Sequence, residues 1–200
     1  MPRVVCDVGV SADGFVAGPS QSLDEPLGVG GEQLHRWMFE RAHEHEAELA
    51  AITAASAFIM GRNMFGPVRG PWSSWSDGPW NGWWGAVPPY HAPVVVLTHH
   101  ERDPLVLADT TFHFHTGGAE TALDLAGAVA GGGDIAIAGG AETINGYLRL
   151  GAIEELRLHI APVLLGDGER LFAGVPTGLA LEPLAARATE LVTHVTYRVG

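Results

Sequence analysis

Four short stretches carry residue types able to hold or act on a ligand, and each follows an apolar run. Gly139-Gly140 closes one run, and a helical pattern with Ile144, Tyr147 and Leu148 on one side starts at once. Paired glycines at a strand-to-helix junction let another molecule approach the backbone, toward which the first N–H groups of the helix point. That suits an anion such as a diphosphate at Gly139-Gly140-Ala141-Glu142, although a glycine pair is also the sequence of a tight turn. Gly61-Arg62-Asn63-Met64 follows a second run. An arginine at the carboxyl end of a parallel strand lies where open α/β sheets bind ligands, and its fork of donors suits phosphate. A surface arginine closing a turn is the alternative. Leu97-Thr98-His99-His100 ends a third run, with a hydroxyl and imidazoles suited to a sugar, a phosphate or a turn cap. Asp13, in Ser11-Ala12-Asp13-Gly14, is the acid best placed for chemistry, again within a sequence typical of a plain turn. Glu40 and Glu44 stand one turn apart and either reach a pocket or face solvent.

The surrounding pattern predicts the elements that must position these residues. Strands are expected at Val4–Val10, Ala57–Met60, Val94–Thr98, Thr110–His115, Asp134–Ala138, Ile153–Ala161, Leu181–Arg187 and Leu191–Val199. Phe15-Val16-Ala17 continues an apolar path after the first turn. Helices are expected at Glu32–Thr53, Ala119–Val129 and Glu142–Arg149, with Leu34, Met38, Ala42, Leu49 and Ile52 as the stripe of the first and His45 in its gap. Helices alternate with strands in the middle and strands dominate the end. This predicts an α/β chain with a mixed sheet, parallel at its centre and antiparallel at its late edge. Nothing divides residues 1–200, so one domain is expected. Residues 65–93 hold five of the six tryptophans, Trp72, Trp75, Trp80, Trp83 and Trp84, among glycines and prolines. So aromatic a segment is expected to fold over the body, as a pocket wall or a contact with a second subunit.

The formal charge of −12 argues against a nucleic-acid backbone or an anionic membrane as partner. Cys6 is the single cysteine and lies in a strand pattern, so a buried thiol and a cytoplasmic location are expected. Ten histidines invite a metal reading through His99, His100, His113, His115 and His159. Without HExxH or a cysteine cluster, no metal site is expected. The glycine pattern is not GxGxxG, and no GxSxG or GxxxxGK[ST] is present, which removes the usual cradles for dinucleotide, acyl transfer and nucleoside triphosphate.

Taken together, VVCDVGVSADGFVAG, FIMGRNMFG, VVVLTHH and IAIAGGAETINGYLRLGAIEELRLHIAPVLLGDGERLF resemble, in that order, the motifs of the dihydrofolate reductase superfamily. The resemblance is closest to the branch holding the reductase domain of bacterial riboflavin biosynthesis, and it spans nearly the whole chain. It implies a three-layer α-β-α sandwich around a mixed, mostly parallel sheet. It also implies an NADPH-dependent reductase acting on a small cyclic or imine-like substrate, and a homodimer. Carried over, it places Gly61, Arg62 and Asn63 at the adenosine phosphate side of NADPH, with Thr98 and His99 flanking. Gly139, Gly140, Ala141 and Glu142 would present donors to the diphosphate. Ala12, Asp13 and Gly14 would lie near nicotinamide and substrate, with Asp13 orienting the substrate or managing a proton. The helix carboxylate of folate enzymes has no aligned counterpart here, and the deaminase signature H-x-E…P-C-x-x-C is absent. A non-catalytic nucleotide-binding or assembly protein of the same fold is the alternative.

Overall fold

Six apolar runs become parallel strands because a helix or a long segment follows each and can carry the chain back across the sheet. The computed structural model describes residues 2–66, 69–74 and 80–200. Its strands are β1 (Val4–Ser11), β2 (Phe15–Ala17), β3 (Ala57–Gly61), β4 (Val94–Leu97), β5 (Leu105–Leu107) and β6 (Thr110–His115), then β7 (Ile135–Gly139), β8 (Glu155–Ala161), β9 (Glu169–Arg170), β10 (Leu181–Ala188) and β11 (Thr193–Val199). The main sheet runs β10-β11-β8-β1-β7-β3-β4-β6-β5, and β2 pairs separately with β9. From β8 to β6 all neighbours are parallel. The late edge is antiparallel, and so is the opposite edge, where the pairing of β5 with β6 was not anticipated.

The chain steps outward from β1 to β3, β4 and β6. Helix α4 (Ala119–Val129) returns it to β7, and α5 (Ala141–Arg149) carries it past β1 to β8. Connections therefore leave in opposite directions around β1 and β7, which opens a crevice at the carboxyl ends of the strands.

Alternation along the strands loads both faces. Val4, Cys6, Val8, Val10, Ile59 and Ile137 pack under α4 and α5, and Cys6 is fully buried as expected. Val5, Phe58, Met60, Val94, Val96 and Phe112 face the other way, against Phe65, Tyr90, Trp72, Trp80 and Trp84. The tryptophan segment thus supplies, over that half of the sheet, the cover a helix would otherwise give. Trp75 lies outside the described residues.

The single helix predicted over Glu32–Thr53 is a correction. The segment is a 3-10 turn (Gly31–His35), α1 (Arg36–Glu40), a second 3-10 turn (Ala42–Glu44) and α2 (Glu46–Ile52). The pieces part at Arg41 and His45, whose φ values of −134° and −130° are not helical. No proline or glycine forces these breaks. They seat Trp37, 1% exposed, against His45, His159 and His194, so packing on the sheet overrides helix propensity and Trp37 takes the core place expected of Met38. Among the described residues, no helix is long and apolar enough to cross a membrane.

Candidate functional site

Because six strands run parallel, their carboxyl ends form one rim, and the sequence-marked residues sit along it. Ala12, Asp13 and Gly14 follow β1, and Gly140 and Ala141 follow Gly139 at the end of β7. Gly61 ends β3, α3 (Arg62–Phe65) begins directly after it, and Thr98 and His99 follow β4.

At the centre of the rim, α5 begins with Gly140 as its N-cap and no side-chain cap. Its first backbone bond runs from the Ile144 N–H to the Gly140 carbonyl, which leaves the N–H groups of Ala141, Glu142 and Thr143 at the helix entrance. A Cβ added at Gly140 would meet no described residue within 4 Å, so the approach to these donors is open on that side. Gly139 has φ +129°, which only glycine adopts readily, and the peptide joining the two glycines is cis. Gly61 lies against this helix start: a Cβ there would come within 2.5 Å of Thr143 Oγ1. The Glu142 carboxylate is exposed and paired with Arg149 at 2.7 Å, so only the backbone of Glu142 faces the entrance.

On the β3–β6 side, the Arg62 guanidinium stacks 3.3 Å from the ring centroid of Trp72. Among the described residues its Nε is buried without a partner. Burial, with the charge of Arg102 beside it, lowers its pKa to about 10. Arg102 stacks on Trp72 and Phe114 and donates to the Trp80 carbonyl at 2.6 Å. Among the described residues neither guanidinium pairs with a carboxylate. A shallow cleft of about 510 Å³ opens here, lined by Arg102, Phe114, His115 and Thr116 among others. Glu101 and Asp103 line the same cleft but, among the described residues, pair with neither guanidinium; two such cations next to an uncapped helix start fit an anionic, phosphate-bearing group. Asn63 and His99 are exposed, free of the core. Thr98 is buried; its hydroxyl accepts the His100 N–H at 3.2 Å, a local turn cap.

On the β1 side, both oxygens of Asp13 are engaged. They accept the Ser11 hydroxyl at 2.5 Å, the Leu165 N–H at 3.1 Å and the Gly166 N–H at 2.7 Å. The Ser11 hydroxyl, then the two backbone donors, lower its pKa to about 2, so the group is a carboxylate at neutral pH. Gly14 (φ +92°) closes the turn onto Ser11, and its carbonyl accepts the Leu171 N–H at 2.9 Å. The structure adds His35, which no spacing signal marks. Its Cε1 would lie 3.1 Å from a Cβ at Gly9, so the absent side chain of Gly9 lets the imidazole lie against β1. Burial, then the charge of His159, lowers its pKa.

Other expectations fall elsewhere. Glu40 and Glu44 sit on the surface, in ion pairs with Arg36 at 2.7 Å and Arg41 at 3.0 Å. The described tryptophans of the aromatic segment pack around β4, β6 and α3. At about 4.8 Å per strand, three spacings put β4 roughly 14 Å from β1. They serve the arginine end of the rim, not the Asp13 end.

The family model for the RibD C-terminal domain matches residues 2–195. A segment of 56 residues is 41% identical to the uncharacterized protein YyaP of Bacillus subtilis (strain 168), covering 28% of this chain and 30% of that protein. The chain therefore spans under a third of that curated relative in the matched region. The structure is similar to that of a putative riboflavin biosynthesis protein from Shewanella sp. PV-4, with TM-score 0.65, 22% identity and 99% of both chains covered. It is also similar to dihydrofolate reductase from Enterococcus faecalis complexed with NADP(H), with TM-score 0.58, 14% identity, and 99% and 96% of the two chains covered. A match running over almost all of the sequence, on a three-layer sandwich of the dihydrofolate reductase kind, makes this chain a member of the RibD C-terminal domain family.

Proposed function

We propose that the chain is an NADPH-dependent reductase delivering hydride to a small cyclic or imine-like substrate, pterin- or pyrimidine-like. 5-Amino-6-(5-phosphoribosylamino)uracil belongs to that class. The observation that carries this reading is the open, uncapped start of α5 on the same rim as the acid-free Arg62. Gly139, Gly140, Ala141 and the backbone of Glu142 would hold the diphosphate. Gly61, Arg62 and Asn63 would hold the adenosine phosphate end, with Thr98 and His99 flanking it. When bound, the cofactor supplies the hydride. Asp13 acts by position, fixing Leu165-Gly166 against Ala12 and Gly14 at the substrate end. An ionised carboxylate with three donors on it is a poor source of a proton at neutral pH. His35 rests over Gly9 beside β1, and burial favours its neutral imidazole. A homodimer belongs to the same reading.

The test is a titration with NADPH and, separately, NADH, followed by tryptophan quenching. Saturable NADPH binding well below millimolar, weakened by Arg62→Ala, supports the reading. Folded protein that binds neither cofactor defeats it. The surface ion pairs of Glu40 and Glu44 favour one alternative, a nucleotide-binding or assembly protein without catalysis, because neither acid serves the substrate end. NADPH binding without turnover of any pterin or pyrimidine would select that alternative.

A further inference from the structure

The late half of the sheet carries a second polar cluster that the reductase reading does not use. Gly9, His159, His194 and Arg187 are aligned across β1, β8, β11 and β10 by strand register. Residues His45 and Glu48, at the start of α2, cover this row. The His194 Nε2 lies 2.9 Å from His45 Nδ1 and 4.0 Å from Glu48 Oε1. Ligand atoms of these three residues all lie within 4.8 Å of one another. The opposite nitrogen of His194, Nδ1, is 2.7 Å from His159 Nδ1, and His159 Nε2 is 3.4 Å from Asp7 Oδ1.

Hydrogen-bond accounting exposes a conflict. Arg187 has donors only, and its Nη2 sits 3.0 Å from His45 Nδ1, so that nitrogen presents a lone pair. His194 Nε2 faces the same lone pair and must carry a hydrogen. A neutral His194 then accepts at Nδ1 from His159 Nδ1, and a neutral His159 turns its own lone pair toward the Asp7 carboxylate. Two acceptors face each other, and among the described residues His159 Nε2 and Asp7 Oδ1 are buried without a partner, as is the outer nitrogen of His45, Nε2. The side chains of His159 and Asp7 are 3% and 5% exposed.

We propose that His45, His194 and Glu48 form a zinc site whose place Arg187 holds in the metal-free protein. A divalent ion at the position of Arg187 Nη2 would take the lone pairs of His45 Nδ1 and His194 Nε2 and an oxygen of Glu48. His194 then carries its hydrogen on Nδ1 and donates to His159. His159 in turn donates from Nε2 to Asp7, so the two orphaned atoms satisfy each other. No proton is gained or lost by the imidazoles. The result is a metal, a histidine ligand and a carboxylate behind it, the usual support of a zinc-bound imidazole, here lengthened by one histidine. Zinc bonds of about 2.0–2.1 Å need ligand atoms roughly 3.4 Å apart, within small side-chain movements of the distances seen. Two imidazoles and one carboxylate suit zinc and leave a fourth position. That position opens into a cleft of about 360 Å³ lined by Ala47, Ala51, Ala185 and Ala186 together with Arg157, Asp7 and other polar residues. Arg187 stands on the edge strand with its side chain 44% exposed, and to make way for the ion it gives up its bonds to the Glu48 carboxylate at 2.7 Å and to the Glu44 carbonyl at 3.2 Å.

The test uses untagged full-length protein titrated with Co²⁺ and Zn²⁺, reading the visible bands of four-coordinate cobalt and competition with a chromophoric chelator. Arg187→Gln changes an exposed side chain, and it should bind one equivalent at least tenfold more tightly than wild type. His194→Gln and Glu48→Gln should each lose at least tenfold. Arg187→Gln binding no better than wild type would overturn the site, as would binding unaffected by His194→Gln. An additional proton on His159 is the rival way to satisfy Asp7, and it gives no cobalt bands in any variant. NADPH binding is read separately in the same samples, so failure of the zinc site and failure of the reductase reading are distinguishable.

Discussion

The N–H of Gly166 donates to the carboxylate of Asp13 at 2.7 Å, and this bond ties the end of β1 to the loop beyond β8. The Asp13 pKa, lowered to about 2 when folded, stands near 3.9 in an unfolded chain. A depressed acid contributes stability that is complete above the unfolded pKa and disappears as pH falls through the folded one. Asp13→Asn should therefore melt below wild type at pH 5–7, with the gap closing from about pH 4 toward pH 2. Thermal midpoints across that range check it; a gap independent of pH would assign the effect to packing instead.

Removing the Arg62 guanidinium leaves Trp72 without its stacked partner and, on the proposed reading, takes away the charge that meets the cofactor's phosphate. A charge-assisted hydrogen bond contributes about 1.5–3 kcal/mol, so Arg62→Ala should weaken NADPH at least tenfold. Arg62→Lys should recover little, since a point charge neither stacks nor forks. Fluorescence titration of the three proteins distinguishes these outcomes; full recovery by lysine would mean that charge alone matters.

Trp72 has two duties, covering Phe65 and Phe114 and supporting Arg62. Its truncation to alanine should cost about 2 kcal/mol of stability, below the value for a fully buried aromatic because the ring is half-exposed. NADPH affinity should fall as well. Trp72→Phe should restore most of the stability in urea unfolding, and the cofactor titration shows whether affinity follows.

The two glycines of the rim should separate fold from binding. Gly139→Ala forces a side chain onto φ +129° and should destabilise by about 1–3 kcal/mol. Gly140→Ala meets no protein atom, so its effect on stability should stay within about 0.5 kcal/mol. Yet the added methyl stands at the helix entrance, and NADPH affinity should fall at least tenfold. Equal loss of stability in both variants would show that the entrance is not open.

Much of this architecture is legible in the chain because its strands are short apolar runs with clear stops. Thr110–His115 and Ala119–Val129 fall where periodicity places them, and the glycine pair, Arg62 and Asp13 follow strands as expected. What stays hidden depends on contacts between distant residues. Trp37 displaces Met38 from the core only because His159 and His194 wait on the sheet. The pairing of Leu105–Leu107 depends on the neighbouring strand rather than on its own sequence. His35 acquires a place beside β1 through a missing side chain at Gly9, which no local pattern reveals. The row of His159, His194 and Arg187 exists only in the register of three strands, and hydrophobic periodicity says nothing about which polar faces will meet.

Strand order also sets the timetable of assembly. Val4 aligns with Ile135 and Val5 with Glu155, so the strand at the middle of the sheet finds its neighbours some 130–150 positions later in the chain. At translation rates of about 5–20 residues per second, roughly 8–30 s pass before both partners of Val4–Ser11 exist. During that interval an apolar strand with two unpaired edges is exposed to whatever else is nearby. The rim around Gly139 cannot close before it ends, so any ligand held there can bind only after the last parallel strand is made.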